Sequence, residues 1–412
     1  MKKNILKSIL RIIAKKINNI YSPKIIAITG SVGKTSAKNA VSFYLQNFFT
    51  TRGSAGNLNN ELGLPLVFIG RSEGGQGSIF SWIKIIISGI KLIIKKNKNY
   101  PEIIVAEMGA DKLGDISYLT EIAKPDISVI TFIGDAPSHL ENYKNIDELV
   151  EEKHKITAFS EVNDFTILNF DDPRVIKVKS RIKSKIITFG FNEGADIRIF
   201  DFKYQNKNMF SMPYGILFTL RYKDSSTIIH LPYCLGKPFA YSVAVSVACG
   251  IALGIDIEKA KDIFRELRPE PGRLNLIEGK DNYFIIDDTY NASPASVQAA
   301  LEVLSEINVD RRVAVLGDMK ELGDNSVDSH RSIGQMVANN CDILITVGDQ
   351  ASYIKEEALK LGMSLENVYH YSNSWDAGKK IKDMIIPGDM VLVKGSRSMK
   401  MENVVDMIKK KE

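Results

Sequence analysis

The chain has 412 residues, of which 54 are Lys or Arg and 49 are Asp or Glu, for a formal charge of +5, and 44% are apolar. That length predicts two or three domains, each able to bury its own core, and the composition excludes disordered, collagen-like and disulfide-stapled chains. Cys234, Cys249 and Cys341 are scattered without CxxC spacing, which fits a reducing cytoplasm and excludes a cysteine-built zinc site; the small basic excess does not argue for nucleic acid.

Residues 1–24 carry seven Lys or Arg and no acid. Arg11, Lys15 and Lys16 interrupt the apolar run, so the segment reads as a basic amphipathic helix with Ile9, Ile13 and Ile17 on its apolar side, not as a signal peptide. A strand at 25–28 leads into Thr29-Gly30-Ser31-Val32-Gly33-Lys34-Thr35-Ser36 and then a helix. Glycines let backbone amides wrap a phosphate, the helix dipole favours its charge, Lys34 reaches the terminal phosphates, and Thr35 suits Mg²⁺. Ile28 stands where the usual pattern has its first glycine, so this is a shortened phosphate loop, and its strand–loop–helix setting predicts ATP binding.

Residues 78–98 predict a second basic helix, with Lys84, Ser88, Lys91, Lys95 and Lys98 on one stripe. Lys84 and Lys91 break what would otherwise be a membrane span. The two helices either bury their apolar faces on the protein or on each other, or make a peripheral contact with an anionic membrane surface. Further strands at 103–106 and 127–132 are followed by Glu107 and His139, both placed in the crevice beyond a parallel strand's carboxyl end. On composition alone Lys153, in Glu151-Glu152-Lys153-His154-Lys155, is a solvated helix residue. The stretch 186–232 reads as antiparallel strands. Beyond the Pro-rich joint Arg268–Arg273, strands at 284–287, 313–316, 343–347 and 391–393 alternate with helices, as in a second α/β layer.

These residues, taken together, resemble the Mur ligases, and most closely the type that joins D-alanyl-D-alanine to a UDP-N-acetylmuramoyl-tripeptide. The resemblance is carried in order by the phosphate loop, Gly56-Asn57-Leu58-Asn59-Asn60-Glu61-Leu62-Gly63, Glu107-Met108-Gly109, the His139 and Lys153 segments, and Leu168-Asn169-Phe170-Asp171-Asp172. It continues through Pro271-Gly272-Arg273, Asp287-Asp288-Thr289-Tyr290-Asn291, Gly317-Asp318-Met319-Lys320-Glu321-Leu322-Gly323 and Lys394-Gly395-Ser396-Arg397-Ser398-Met399-Lys400. It implies an α/β chain of three parts: a basic helix over 1–24, an ATP-binding central domain over 25–271 (parallel sheet with helices plus a small antiparallel sheet), and a Rossmann-like domain over 272–412.

The implied reaction is ADP-forming amide synthesis through an acyl phosphate, in peptidoglycan precursor synthesis. By resemblance Thr35 and Glu107 hold one Mg²⁺ and His139 helps hold a second. Lys153, favoured over Lys155 by register, becomes carbamylated and serves the second metal. Asn57, Asn59 and Asn60 lie beside the γ-phosphate and donor carboxylate. Arg273, Asp288 and Asn291 contact the nucleotide, and Lys394, Ser396 and Arg397 take the acceptor's carboxylate. The implied protein is a cytoplasmic monomer.

Two features depart from the family. A donor-binding domain usually precedes the phosphate loop, and here a basic helix precedes it, which leaves open a lipid-linked donor. The adenine run Gly-x-His-Asn-x-x-Asn reads Gly236-Lys237-Pro238-Phe239-Ala240-Tyr241-Ser242, so base recognition is expected from stacking on Phe239 or Tyr241. A different cell-wall peptide, a polyglutamate-type extension and a non-catalytic nucleotide-binding partner are the competing readings.

Overall fold

The computed structural model describes residues 3–56, 58–75, 78–134, 140–206 and 213–410. Helix α1 (Lys3–Tyr21) leads into β1 (Lys24–Thr29), α2 (Lys34–Leu45), β2 (Thr51–Gly53), α3 (Gly63–Ile69), α4 (Ile79–Ile94) and β3 (Ile103–Glu107). Then come α5 (Asp115–Ile122), β4 (Ile127–Ile130), α6 (Ile146–His154), β5 (Phe165–Asn169), α7 (Pro173–Lys177) and β6 (Lys185–Gly190). Strands β7 (Ile197–Asn206), β8 (Pro213–Tyr222) and β9 (Ser225–Leu231) precede α8 (Lys237–Ala252).

All nine strands form one sheet in the order β2-β3-β1-β4-β5-β6-β7-β8-β9. Pairing is parallel from β2 through β7 and antiparallel across β7–β8–β9. The expected antiparallel strands are therefore present, but they extend the edge of the parallel sheet. Ile186–Gly190, read from sequence as antiparallel, belongs to β6 and runs parallel to both β5 and β7. Strand β2 is too short, at three residues, to show any alternation in the sequence.

The order reverses at β1, whose neighbours β3 and β4 lead off in opposite directions. In open α/β sheets the loops beyond that switch point bound the ligand crevice. Helices α2 and α8 cover one face, with Val41, Tyr44, Val243 and Val247 fully buried. The other face carries α1, α3, α4 and α5.

Helix α1 is part of this second core. Its Leu6, Leu10, Ile13, Ala14 and Ile17 pack with Ile25, Leu64, Phe68 and Ile104. Its basic side is outward, with Lys7 and Arg11 paired to Glu61 and Glu121. Leu10 is fully buried, so Leu10→Ala should cost about 2–5 kcal/mol of stability through lost transfer energy and a residual cavity. Chemical denaturation measures this, and an unchanged midpoint would mean the helix is only loosely attached. Helix α4, by contrast, buries only Ile85 and Gly89. No described helix is long and apolar enough to cross a membrane.

The joint 268–273 separates this block from a second sheet. It comprises β10 (Asn275–Glu278), β11 (Phe284–Asp288), α9 (Pro294–Glu306), β12 (Arg311–Gly317), α10 (Ser326–Asn340), β13 (Ile343–Val347), α11 (Ser352–Lys360), β14 (Val368–Tyr371), α12 (Ser374–Lys382), β15 (Asp389–Lys394) and α13 (Glu402–Ile408). Strand order is β10-β11-β15-β12-β13-β14, parallel apart from the antiparallel β10.

Candidate active site

The phosphate loop is built by two glycines with different jobs. A side chain on Gly30 would come within 2.0 Å of Thr131 Oγ1, and Gly33 has φ 84°, a left-handed conformation that favours glycine. The amides of Ser31 and Val32 are spent on Phe132 O at 2.7 and 3.0 Å, bracing the loop against the strand-β4 exit. Among the described residues no side chain caps α2. Its first-turn amides therefore lack intrahelical partners and, with the helix dipole, are left for an anion.

Around this loop the charged groups converge. Thr35 donates to Glu107 Oε2 at 2.8 Å, and Asn59 Nδ2 donates to Glu107 Oε1 at 3.1 Å. Glu107 is buried at the end of β3, and among the described residues its oxygens are held by neutral donors. A buried carboxylate with that donor set fits a divalent cation.

Lys153 is where sequence composition misleads: it is only 3% exposed, and its Nζ donates to Gly30 O at 2.9 Å. Asn145 caps helix α6 by accepting from Glu148 N. Glu152, also buried, accepts from Ile116 N at the start of α5, which rolls Lys153 inward. Burial, followed by the Lys34 charge, holds the Lys153 pKa well below the ordinary lysine value. Lys34 is lowered too, first by burial and partly by Arg273, while Glu107 and Asp111 oppose the shift. The rival Lys155 is half-exposed and pairs with Glu152 at 2.7 Å.

The second sheet supplies the facing wall. Asp288 ends β11 beside Lys394 at the end of β15 and pairs with it; Lys394 also donates to Asn291 O at 2.9 Å. Asp288 accepts from Leu274 N at 3.1 Å and Asp287 from Gly272 N at 3.0 Å, so two adjacent carboxylates pin the Gly272–Leu274 turn. The Arg273 guanidinium then lies over the Tyr290 ring at 4.2 Å. The cleft between the two layers holds about 410 Å³ and is lined by Ser31 to Ser36, Asn59, Asn60, Glu107, Arg273, Asp288, Asn291 and Lys394.

Other sequence-derived sites fall differently. Asn60 lines the cleft, but its Oδ1 accepts from Leu62 N and Gly63 N, organising the start of α3. Ser396 is buried and accepts from Lys320 N at 2.8 Å, tying down the loop that begins at Asp318. Arg397 is exposed and paired with Glu402 at 3.1 Å. Asn57 and His139 lie outside the described residues.

Asp111, four residues past Glu107, was not anticipated; it lines the cleft and opposes the pKa lowering of both Lys34 and Lys153. Its position just beyond a strand end was the available signal. An adjoining pocket of about 360 Å³ is lined by Asn169, Phe189, Tyr204, Tyr241 and Gln298. Tyr241 donates to Asp171 Oδ2 at 2.7 Å, which fixes its ring. Phe239, the other stacking candidate, lines the phosphate cleft instead.

A phosphate loop, a buried carboxylate and a buried lysine, closed over by a second α/β layer, define the class: ATP-dependent ligases of the P-loop type. Residues 87–249 match the family model for the Mur ligase middle domain and residues 272–397 that for the Mur ligase, glutamate ligase domain. The UDP-N-acetylmuramoyl-tripeptide–D-alanyl-D-alanine ligase of Haemophilus influenzae is 30% identical over 410 residues, covering 97% of this chain and 79% of that protein. The ligase of the same name from Bacillus subtilis is 29% identical, covering 96% and 78%. The crystal structure of MurF ligase from Thermotoga maritima in complex with ADP superposes with a TM-score of 0.80 at 27% identity, covering 97% of this chain and 83% of that one. The chain belongs to the Mur ligase family, and these relatives are its D-alanyl-D-alanine-adding members.

Proposed function

We propose that the chain is an ATP-dependent ligase of peptidoglycan precursor synthesis that, as a monomer, adds D-alanyl-D-alanine to a UDP-N-acetylmuramoyl-tripeptide. The observation that carries this reading is the meeting of Lys34 and the Thr35–Glu107 pair in one cleft, with the buried Lys153 bonded to Gly30 O behind the phosphate loop. The far wall of the cleft comes from the joint, through Arg273, and from the second α/β layer, through Asp288 and Asn291.

The donor carboxylate attacks the γ-phosphorus of ATP; the bond to the β-phosphate oxygen breaks and ADP leaves. The acceptor amine then attacks the acyl carbon, phosphate departs with its bonding pair, and the nitrogen loses a proton to give the amide. Little covalent help is needed from the protein, so positioning and charge neutralisation carry the rate. Lys34 and the α2 amides take the phosphate charge, and Asn59 sits where the donor carboxylate approaches. Arg273 faces the nucleotide from the other side. Tyr241, which lines the adjoining pocket, serves the base there.

Thr35 and Glu107 would hold one Mg²⁺, and a carbamate on Lys153, with His139, a second; these ions supply Lewis-acid neutralisation of the transferring phosphoryl group. We assign the acceptor's terminal carboxylate to the segment Lys394–Arg397, with Arg397 exchanging Glu402 for it in a bidentate pair. Residues 25–271 and 272–412 then act as the two jaws, with residues 1–24 packed on the first.

Incubation with ATP, Mg²⁺, UDP-N-acetylmuramoyl-tripeptide and D-alanyl-D-alanine should yield the pentapeptide mass and an equal amount of phosphate. Nucleotide binding without that product would move the assignment to another donor or acceptor.

A further inference from the structure

Helix α4 is covered on one side only. Its inner contact is tight, because a side chain on Gly89 would come within 2.5 Å of Ile13 of α1. On the outer side Phe80, Ile83, Ile87, Ile90 and Ile94 are exposed, Phe80 and Ile94 by 79% and 80%. At 3.6 residues per turn these five side chains fall within a sector of about 80°. Lys84 and Lys91 fall about 20–40° beyond Phe80, on one edge of the stripe. Lys95, Lys96 and Lys98 are exposed at its carboxyl end, and residues 74–101 contain no acid.

A helix on a solvated surface turns its polar side outward. Here five large apolar side chains point away from the protein, a continuous patch of the kind that marks a contact surface. An apolar stripe with a basic edge is the arrangement of a helix lying in the plane of an anionic bilayer. Lys84 and Lys91 exclude a spanning orientation. Self-association is opposed by charge, since a two-fold contact through this face would bring the five lysines of each copy together with no acid from the segment to offset them. The lysine-rich end also borders a cavity lined by Lys24, Lys96 and Lys98 at the start of β1 and β3. The phosphate loop and Glu107 lie at the other end of those strands, so contact there leaves the cleft open.

We infer that the outer face of α4 is a peripheral docking surface for a bilayer containing anionic phospholipid. The apolar stripe enters the headgroup–acyl boundary and the lysines meet lipid phosphates.

Sedimentation of the full chain with vesicles tests this. Binding to phosphatidylcholine–phosphatidylglycerol vesicles should be at least about 10-fold tighter than to phosphatidylcholine alone, and should weaken as salt is raised. The double variant Ile83→Asp/Ile87→Asp should lose at least about 10-fold on both vesicles through its apolar contacts. Lys84→Gln/Lys91→Gln should lose binding on the anionic vesicles only. Both variants alter exposed positions and should keep the wild-type unfolding midpoint. Absence of binding, or equal binding by the Asp variant, overturns the inference. So does a solution dimer that the Asp variant dissociates, since a second copy would then cover the face.

Discussion

Lys153→Ala is expected to lower ligase turnover on the order of 10²–10³-fold, the scale of losing one preorganised charge-stabilising group, while nucleotide affinity stays near wild type. The asymmetry follows from position. Lys153 sits behind the loop, on Gly30 O, whereas the α2 amides and Lys34 face the cleft. A lysine that only braced Gly30 would, when removed, weaken ATP binding and turnover together. A lysine that becomes a carbamate loses turnover alone.

The chemistry needs a neutral amine: R–NH₂ and CO₂ give R–NH–COO⁻ and a proton. Burial and the Lys34 charge favour it by lowering the Lys153 pKa. The sign is set by linkage. With the folded pKa below the unfolded one, the unfolded chain holds the extra proton, so stability rises with pH between the two values and the penalty is complete below the folded pKa. Carbamate occupancy should follow the same direction and fall as pH is lowered. Protein equilibrated with ¹³C-bicarbonate should show a carbamate carbon resonance that Lys153→Ala removes. An unmodified lysine in an active enzyme would overturn the assignment, as would full turnover by the alanine variant.

What could be read from the sequence was what is local. The phosphate loop depends on eight consecutive residues and their flanking strand and helix, and Glu107 needs only to follow four apolar residues that form a strand. Lys153 was different, because its burial depends on Glu152 reaching the amide of Ile116, a contact between two helices that no local pattern encodes. The segment after β15 shows the converse. Its motif is intact, yet Ser396 turns inward to hold Lys320 N, Arg397 turns outward to Glu402 and Lys394 pairs with Asp288, so a string of donors in the sequence became one structural hydrogen bond and two ion pairs. Helices α1 and α4 carry the same basic amphipathic pattern, and packing separated them. Leu10 and Ile17 found a core, while Ile87 and Ile94 did not. Hydrophobic period locates an apolar face but does not say how much of it a neighbour covers.

Glu107→Gln should be nearly as damaging as loss of Lys153, for a different reason. The change preserves volume and leaves an oxygen to accept from Thr35 or Asn59, so the fold and the loop should survive. It removes the one charge that makes the Thr35–Glu107 pair a cation site. Turnover should fall on the order of 10²–10³-fold, as for removal of a charge-stabilising group. The Mg²⁺ concentration giving half-maximal rate should rise on the order of 10–100-fold. Titrating Mg²⁺ at saturating ATP separates this from a packing defect: a metal-ligand role moves the midpoint, whereas a structural role lowers the plateau alone. In the absence of Mg²⁺ the variant should bind ATP at least as well as wild type, because a negative charge beside the phosphates has gone. Weaker metal-free binding would place Glu107 in the architecture of the loop and leave the cation to Asp111, a second cleft carboxylate whose charge acts on Lys34.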